Sequence, residues 1–131
     1  MTPPENAQVH EWPGSIFWFD ENGIMCSISR PAPLQTLEEA KLQMLEFEKI
    51  TGGKKICILS DSTNGNPVQS KELRDYAAEV LPQFVKAIAV ISNSAMGKMV
   101  ANLFFAIKSQ PYPIKFFDNE NAAKEWLKQY L

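Results

Sequence analysis

The chain is short of the residues that catalysis and metal binding most often use. One histidine, His10, and two cysteines, Cys26 and Cys57, are spread over 131 residues, so no cluster has the spacing of a zinc site. Excess charge of one sign is also lacking, since 13 Lys and Arg against 15 Asp and Glu leave a net charge of −2. That excludes the basic footprint of a nucleic-acid binder or of a protein drawn to an anionic membrane surface. No apolar run approaches the roughly 20 residues that span a bilayer. The opening stretch MTPPENAQVHEWPG has neither the basic nor the apolar region of a secretion signal. The expectation is a cytoplasmic protein with no cofactor, no nucleic acid and no membrane among its partners. Cys26 and Cys57 each sit in an apolar run and are expected as buried reduced thiols, although their number alone leaves a disulfide open.

What is present reads as an α/β domain. Residues 1–14 form an expected flexible lead-in, because Pro3, Pro4 and Pro13 oppose regular structure, and residues 15–131 form a single domain. Ser15–Asp20 and Ile24–Arg30 flank Glu21-Asn22-Gly23, where the Asn-Gly pair offers the positive φ angles of a tight hairpin. Thr36-Leu37-Glu38-Glu39 has the form of a capping box opening a first helix, with Leu37, Ala40, Met44 and Phe47 facing inward. Gly52-Gly53 stops it. The following Lys54-Lys55 completes no phosphate-binding loop, for the upstream glycine and the Ser/Thr of that motif are missing.

Two continuous apolar runs, Ile56–Leu59 and Ala87–Ser92, suit strands covered on both faces. Ser70 is placed to cap a second helix ending near Pro82, and Asn93-Ser94 to cap a third over Ala95–Ser109 with Met96, Met99, Val100, Leu103, Phe104 and Ile107 as its core stripe. Ile114–Phe117 makes a fifth strand. A last helix from Asp118 or Asn119 turns Ala123, Trp126, Leu127 and Tyr130 inward. The predicted order is β-β-α-β-α-β-α-β-α, a mainly parallel five-stranded sheet with an opening hairpin and about four helices.

Such sheets meet their ligands and partners at the carboxyl ends of the strands, where helix N-termini also point. The candidate site is therefore the strand-loop-helix unit that holds Asp61, Ser62, Thr63, Asn64 and Ser70. No base stands near these hydroxyls in sequence, and nucleophilic catalysis needs one, so the expectation is that the chain is not an enzyme. Asp61 is first a brace accepting amide N–H groups of its own loop, and Ser70 first a helix cap.

The element order, and the layout from Asp61 to Ser70, resemble the STAS domain, the fold of bacterial anti-sigma-factor antagonists, over about residues 15–131. Small STAS-like proteins share further features seen here: the Asn22-Gly23 hairpin, the Thr36-Leu37-Glu38-Glu39-Ala40 helix start, the Gly52-Gly53-Lys54-Lys55 turn, and the final Trp126-Leu127-Lys128-x-x-Leu131 helix. The antagonists carry an Asp at the strand end and a phosphorylated serine, within Asp-Ser-Ser-Gly, at the second helix. Asp61 matches the first. Ser70 stands where the regulated serine would, but Gln69, Lys71 and Glu72 do not reproduce its surroundings. Asp61-Ser62-Thr63-Asn64-Gly65 imitates the motif too close to the strand. The resemblance implies a regulatory, protein-binding domain.

Surplus apolar residues bear on partners as well. Leu42 on the first helix and Phe105 on the third lie off their inward stripes, and Trp12, Phe17 and Phe19 add further apolar surface. Scattered singly such residues mean little; contiguous, they mark a partner or self-association surface, and a homodimer is the preferred reading. The alternative function is a small apolar-ligand or lipid binder, with Met96, Met99 and Phe104 lining a pocket beneath the third helix.

Overall fold

The structure is a computed structural model that describes residues 1–64, 70–94, 97, 99, 102 and 111–131. Its centre is one six-stranded sheet in sequential order: β1 (His10–Trp12), β2 (Ser15–Phe19), β3 (Met25–Ser29), β4 (Ile56–Asp61), β5 (Val85–Ile91) and β6 (Ile114–Phe117). β2 runs antiparallel to both of its neighbours, β1 and β3, and β3 through β6 are parallel. The described helices are α1 (Leu37–Thr51), α2 (Lys71–Val80) and α3 (Glu120–Leu127). Gly97, Met99 and Asn102 are helical too; the rest of the expected third helix, with Met96, Phe104 and Phe105, lies outside the described residues. Among the described residues no helix is long and apolar enough to cross a membrane.

The sheet has six strands where the sequence reading expects five. The additional one, β1, lies inside residues 1–14, read as a flexible lead-in. Pro13-Gly14 is the two-residue turn that pairs Trp12 with Ser15 and folds β1 back on β2. Arg30 ties this turn down, its Nη2 donating to Trp12 O at 2.7 Å and its backbone N–H to Gly14 O at 2.9 Å. The next turn also differs from expectation. Only Gly23 has a positive φ, at 78°; Gly23 N–H donates to Asp20 O and Asp20 N–H to Ile24 O. The loop is thus the expected three-residue connection Glu21-Asn22-Gly23, but its left-handed geometry rests on the glycine alone and not on the Asn-Gly pair.

Both ends of α1 follow the sequence. Thr36 Oγ1 accepts Glu39 N–H at 3.1 Å while Glu39 Oε1 accepts Thr36 N–H at 3.2 Å, and Gly52 at φ 68° closes the helix.

The two faces of the sheet carry separate cores. On one, Phe17 and Met25 are buried with Phe47 of α1, ringed by Trp12, Phe19, Met44 and Phe84. On the other, Trp18, Cys26, Cys57 and Leu59 are buried with Ala123 and Leu127 of α3. Ala87 and Ala89, fully buried on β5, leave the room that lets α3 lie close to that strand. Trp12, Phe17 and Phe19 are therefore not surplus surface: α1 covers that face, and Trp12 packs on Phe17 at 4.6 Å between ring centroids. Cys26 and Cys57 are free and buried.

Candidate functional site at the carboxyl ends of the parallel strands

Asp61 is the last residue of β4 and is 5% exposed. Buried carboxylates must be hydrogen-bonded, and the loop it opens supplies the donors. Asp61 Oδ1 accepts both the backbone N–H of Thr63, at 3.0 Å, and the Thr63 hydroxyl, at 2.7 Å. Its Oδ2 lies 3.6 Å from the amino group of Met1. Ser62 locks the same turn to the neighbouring strand, since its N–H and its hydroxyl both donate to Ile91 O at 2.9 Å. Asp61 and Ser62 are thus spent on holding the loop, and Thr63 and Asn64 are left exposed to solvent.

The end of β5 repeats the pattern one strand along. Ser92 N–H donates to Phe117 O at 3.0 Å, Ser92 Oγ accepts Ser94 N–H at 3.3 Å, and Ser94 Oγ accepts Gly97 N–H at 3.1 Å as the cap of the helical stretch that follows. At the end of β6, Asn119 caps α3 by accepting Ala122 N–H at 2.8 Å. The carboxyl edge is a rim of hydroxyls and amides braced from below. Ser92 is a member of this rim that the sequence reading does not include; the available signal is a serine directly after the strand, Ser92 after β5 as Ser62 after β4.

Ser70 caps α2 by accepting Leu73 N–H at 3.2 Å. It is half-buried, and no hydrogen bond among the described residues joins it to Asp61–Asn64. The intervening positions 65–69 lie outside those residues.

A family model described as "Domain of unknown function (DUF7793)" matches residues 17–131. The chain belongs to the DUF7793 family. No curated protein matches this DUF7793 chain. Among solved structures it is similar to an uncharacterised DUF3478-family protein with a SpoIIAA-like fold from Shewanella loihica PV-4. That match has a TM-score of 0.56 and 14% identity, over 97% of this chain and 98% of the other. The SpoIIAA-like fold is the STAS-like fold that the resemblance implies. A protein of unknown function from Arthrobacter sp. FB24 is 24% identical over 86% of this chain and 97% of its own, with a TM-score of 0.27.

The other sequence candidates on the DUF7793 domain are dispersed. His10 stacks on Phe17 at 4.9 Å in β1, level with Ser60 but three strands across the sheet from β4. Leu42 is 66% exposed on α1. Met99, expected in the core stripe, is instead 61% exposed. The helical stretch reaches the sheet at its β6 edge through Asn102, and an edge covers less of a helix than a sheet face does. A cleft of about 400 Å³ between the β2–β3 turn and α3 is lined by Asp20, Glu21, Asn121, Lys124, Glu125 and Lys128, a charged rather than apolar lining. Among the described residues no three His, Cys, Asp or Glu side chains are grouped as a metal site would need.

Proposed function

We propose that the chain is a non-catalytic regulatory domain that binds a protein partner through the loop and helix running from Asp61 to Ser70, as the anti-sigma-factor antagonists it resembles do. The observation that carries this reading is the use made of Asp61. Its carboxylate is buried and accepts both donors of Thr63, so it fixes the turn that opens the loop, and Thr63 and Asn64 are exposed. Rigid loops displayed at the strand ends of an α/β sheet are where recognition is placed. The phosphorylation motif of the antagonists is not reproduced, and the Ser70 oxygen already serves as a cap. Partner binding is therefore expected to be constitutive.

The test is affinity capture from lysate of the source organism with wild type, Asn64→Arg, Ser70→Ala, Ser70→Asp and, as a control at the opposite end of β4, the exposed Lys54→Glu. Asn64→Arg is expected to lose a partner that the other four retain. Retention of every partner by Asn64→Arg would place binding elsewhere, and selective loss with Ser70→Asp would show a phosphoswitch after all.

A further inference from the structure

Among the described residues nothing covers the outer face of α1. Leu42 and Leu45 are 66% and 57% exposed, whereas Phe47 on the opposite side is buried. At 3.6 residues per turn, Glu38, Leu42, Leu45 and Lys49 fall within an arc of about 60°, and all four are exposed. The face thus has a two-leucine centre, an acid toward the helix N-terminus and a base toward its C-terminus. Lys41 and Glu48 line one flank, and Glu39 and Glu46 the other.

We propose that this face pairs with itself on a second copy of the chain, the two α1 helices running antiparallel about a two-fold axis that passes between Leu42 and Leu45. A two-fold interface must be self-complementary, and this face is. The axis that sets Leu42 against the partner's Leu45 also sets Glu38 against the partner's Lys49, because both pairs share a midpoint between residues 43 and 44. Lys41 then approaches the partner's Glu48 on one flank. A parallel pairing would instead oppose Glu38 to Glu38 and Lys49 to Lys49, like on like. Glu39 and Glu46, which meet on the less favourable flank, are turned to their own chain: Glu39 accepts Thr36 N–H and Glu46 accepts Trp12 Nε1–H, each at 3.2 Å.

The contact is small. A 15-residue helix is about 22 Å long, and one helix pair buries less than the roughly 800 Å² per partner of a standard interface. The dimer is therefore weak, with a dissociation constant of about 10–100 µM.

Analytical ultracentrifugation between about 5 and 500 µM covers that range. Wild type is expected to pass from one chain mass to two. Leu42→Glu is expected to stay monomeric, Lys49→Glu to weaken association about tenfold or more, and Glu38→Lys with Lys49→Glu to restore it to within about threefold of wild type. These positions are exposed, so far-UV circular dichroism should be unchanged, and Leu42→Ser serves as a second, uncharged disruption. A wild type that stays monomeric throughout, a dimer indifferent to both Leu42 variants, or a charge swap that fails to restore association would each overturn the proposal.

Discussion

The side-chain amide of Asn102 pairs with the backbone of Phe116 on both of its groups, Oδ1 accepting Phe116 N–H at 2.9 Å and Nδ2 donating to Phe116 O at 3.1 Å. The ladder explains why a side chain is needed there. Pro113 O and Phe117 O receive Ile88 N–H and Ser92 N–H from β5, so by strand alternation the groups of Phe116 point away from β5, toward the open edge of the sheet. An unpaired edge invites pairing with another chain. Asn102 stands in for the missing strand at that one residue.

Asn102→Ala is accordingly expected to cost about 1–3 kcal/mol, read as a lower urea midpoint with the slope unchanged, and to increase aggregation on storage. Asn102→Leu restores the volume without the amide and should lose nearly as much. If the leucine variant matched wild type, the pairing would be incidental to stability.

Asn102 shows where sequence reasoning stopped. Helical periodicity identifies the residues that point at a sheet, but it assumes that the sheet presents an apolar face. Here Asn102 meets a strand edge, where an amide is the useful group, and Met99 stays in solvent. The same limit applies to β1. His10-Glu11-Trp12 is too short to show alternation, and Pro13, a breaker by its chemistry, is half of the turn that makes the strand. Features set by local chemistry were legible: the capping box at Thr36, the glycine stop at Gly52, the caps at Ser70, Ser94 and Asn119, and the brace at Asp61. Each needs only residues within a few positions of one another. The Arg30 clamp on the Pro13 turn joins residues 17 apart, and nothing local announces it.

The buried thiols make stability fall in alkali. Burial, aided by the nearby Asp20 carboxylate, pushes the Cys26 thiol up from 9.0 to about 12, and burial raises Cys57 in the same direction. The unfolded chain releases these protons above about pH 9 while the folded chain keeps them. Unfolding is then favoured as pH rises. The Cys26 contribution is fully present below about pH 9 and is lost toward pH 12, at up to about 1.4 kcal/mol per pH unit, and Cys57 acts in the same direction. Urea midpoints taken at about pH 8, 9 and 10 should decline, and Cys26→Ala should flatten the decline even if it lowers every midpoint. An equal slope in the variant would remove Cys26 from the account.

Asp61 can be read as a loop brace or as an acid held ready for chemistry, and two substitutions separate these. The loop brace needs an acceptor at Oδ1, where Thr63 donates twice; the negative charge serves the Met1 amino group, 3.6 Å from Oδ2. Asp61→Asn keeps that acceptor and should cost less than about 1.5 kcal/mol, whereas Asp61→Ala leaves the Thr63 donors without their partner and should cost about 2–3 kcal/mol. Thr63→Val removes the hydroxyl donor alone and should cost about 1 kcal/mol, with partner capture retained because the backbone N–H bond still shapes the loop. Equal losses in stability for Asp61→Asn and Asp61→Ala would mean that the charge itself is what the site requires. The Thr63 brace, and the proposed function built on it, would then give way to the ion pair with the Met1 amino group as what Asp61 chiefly holds.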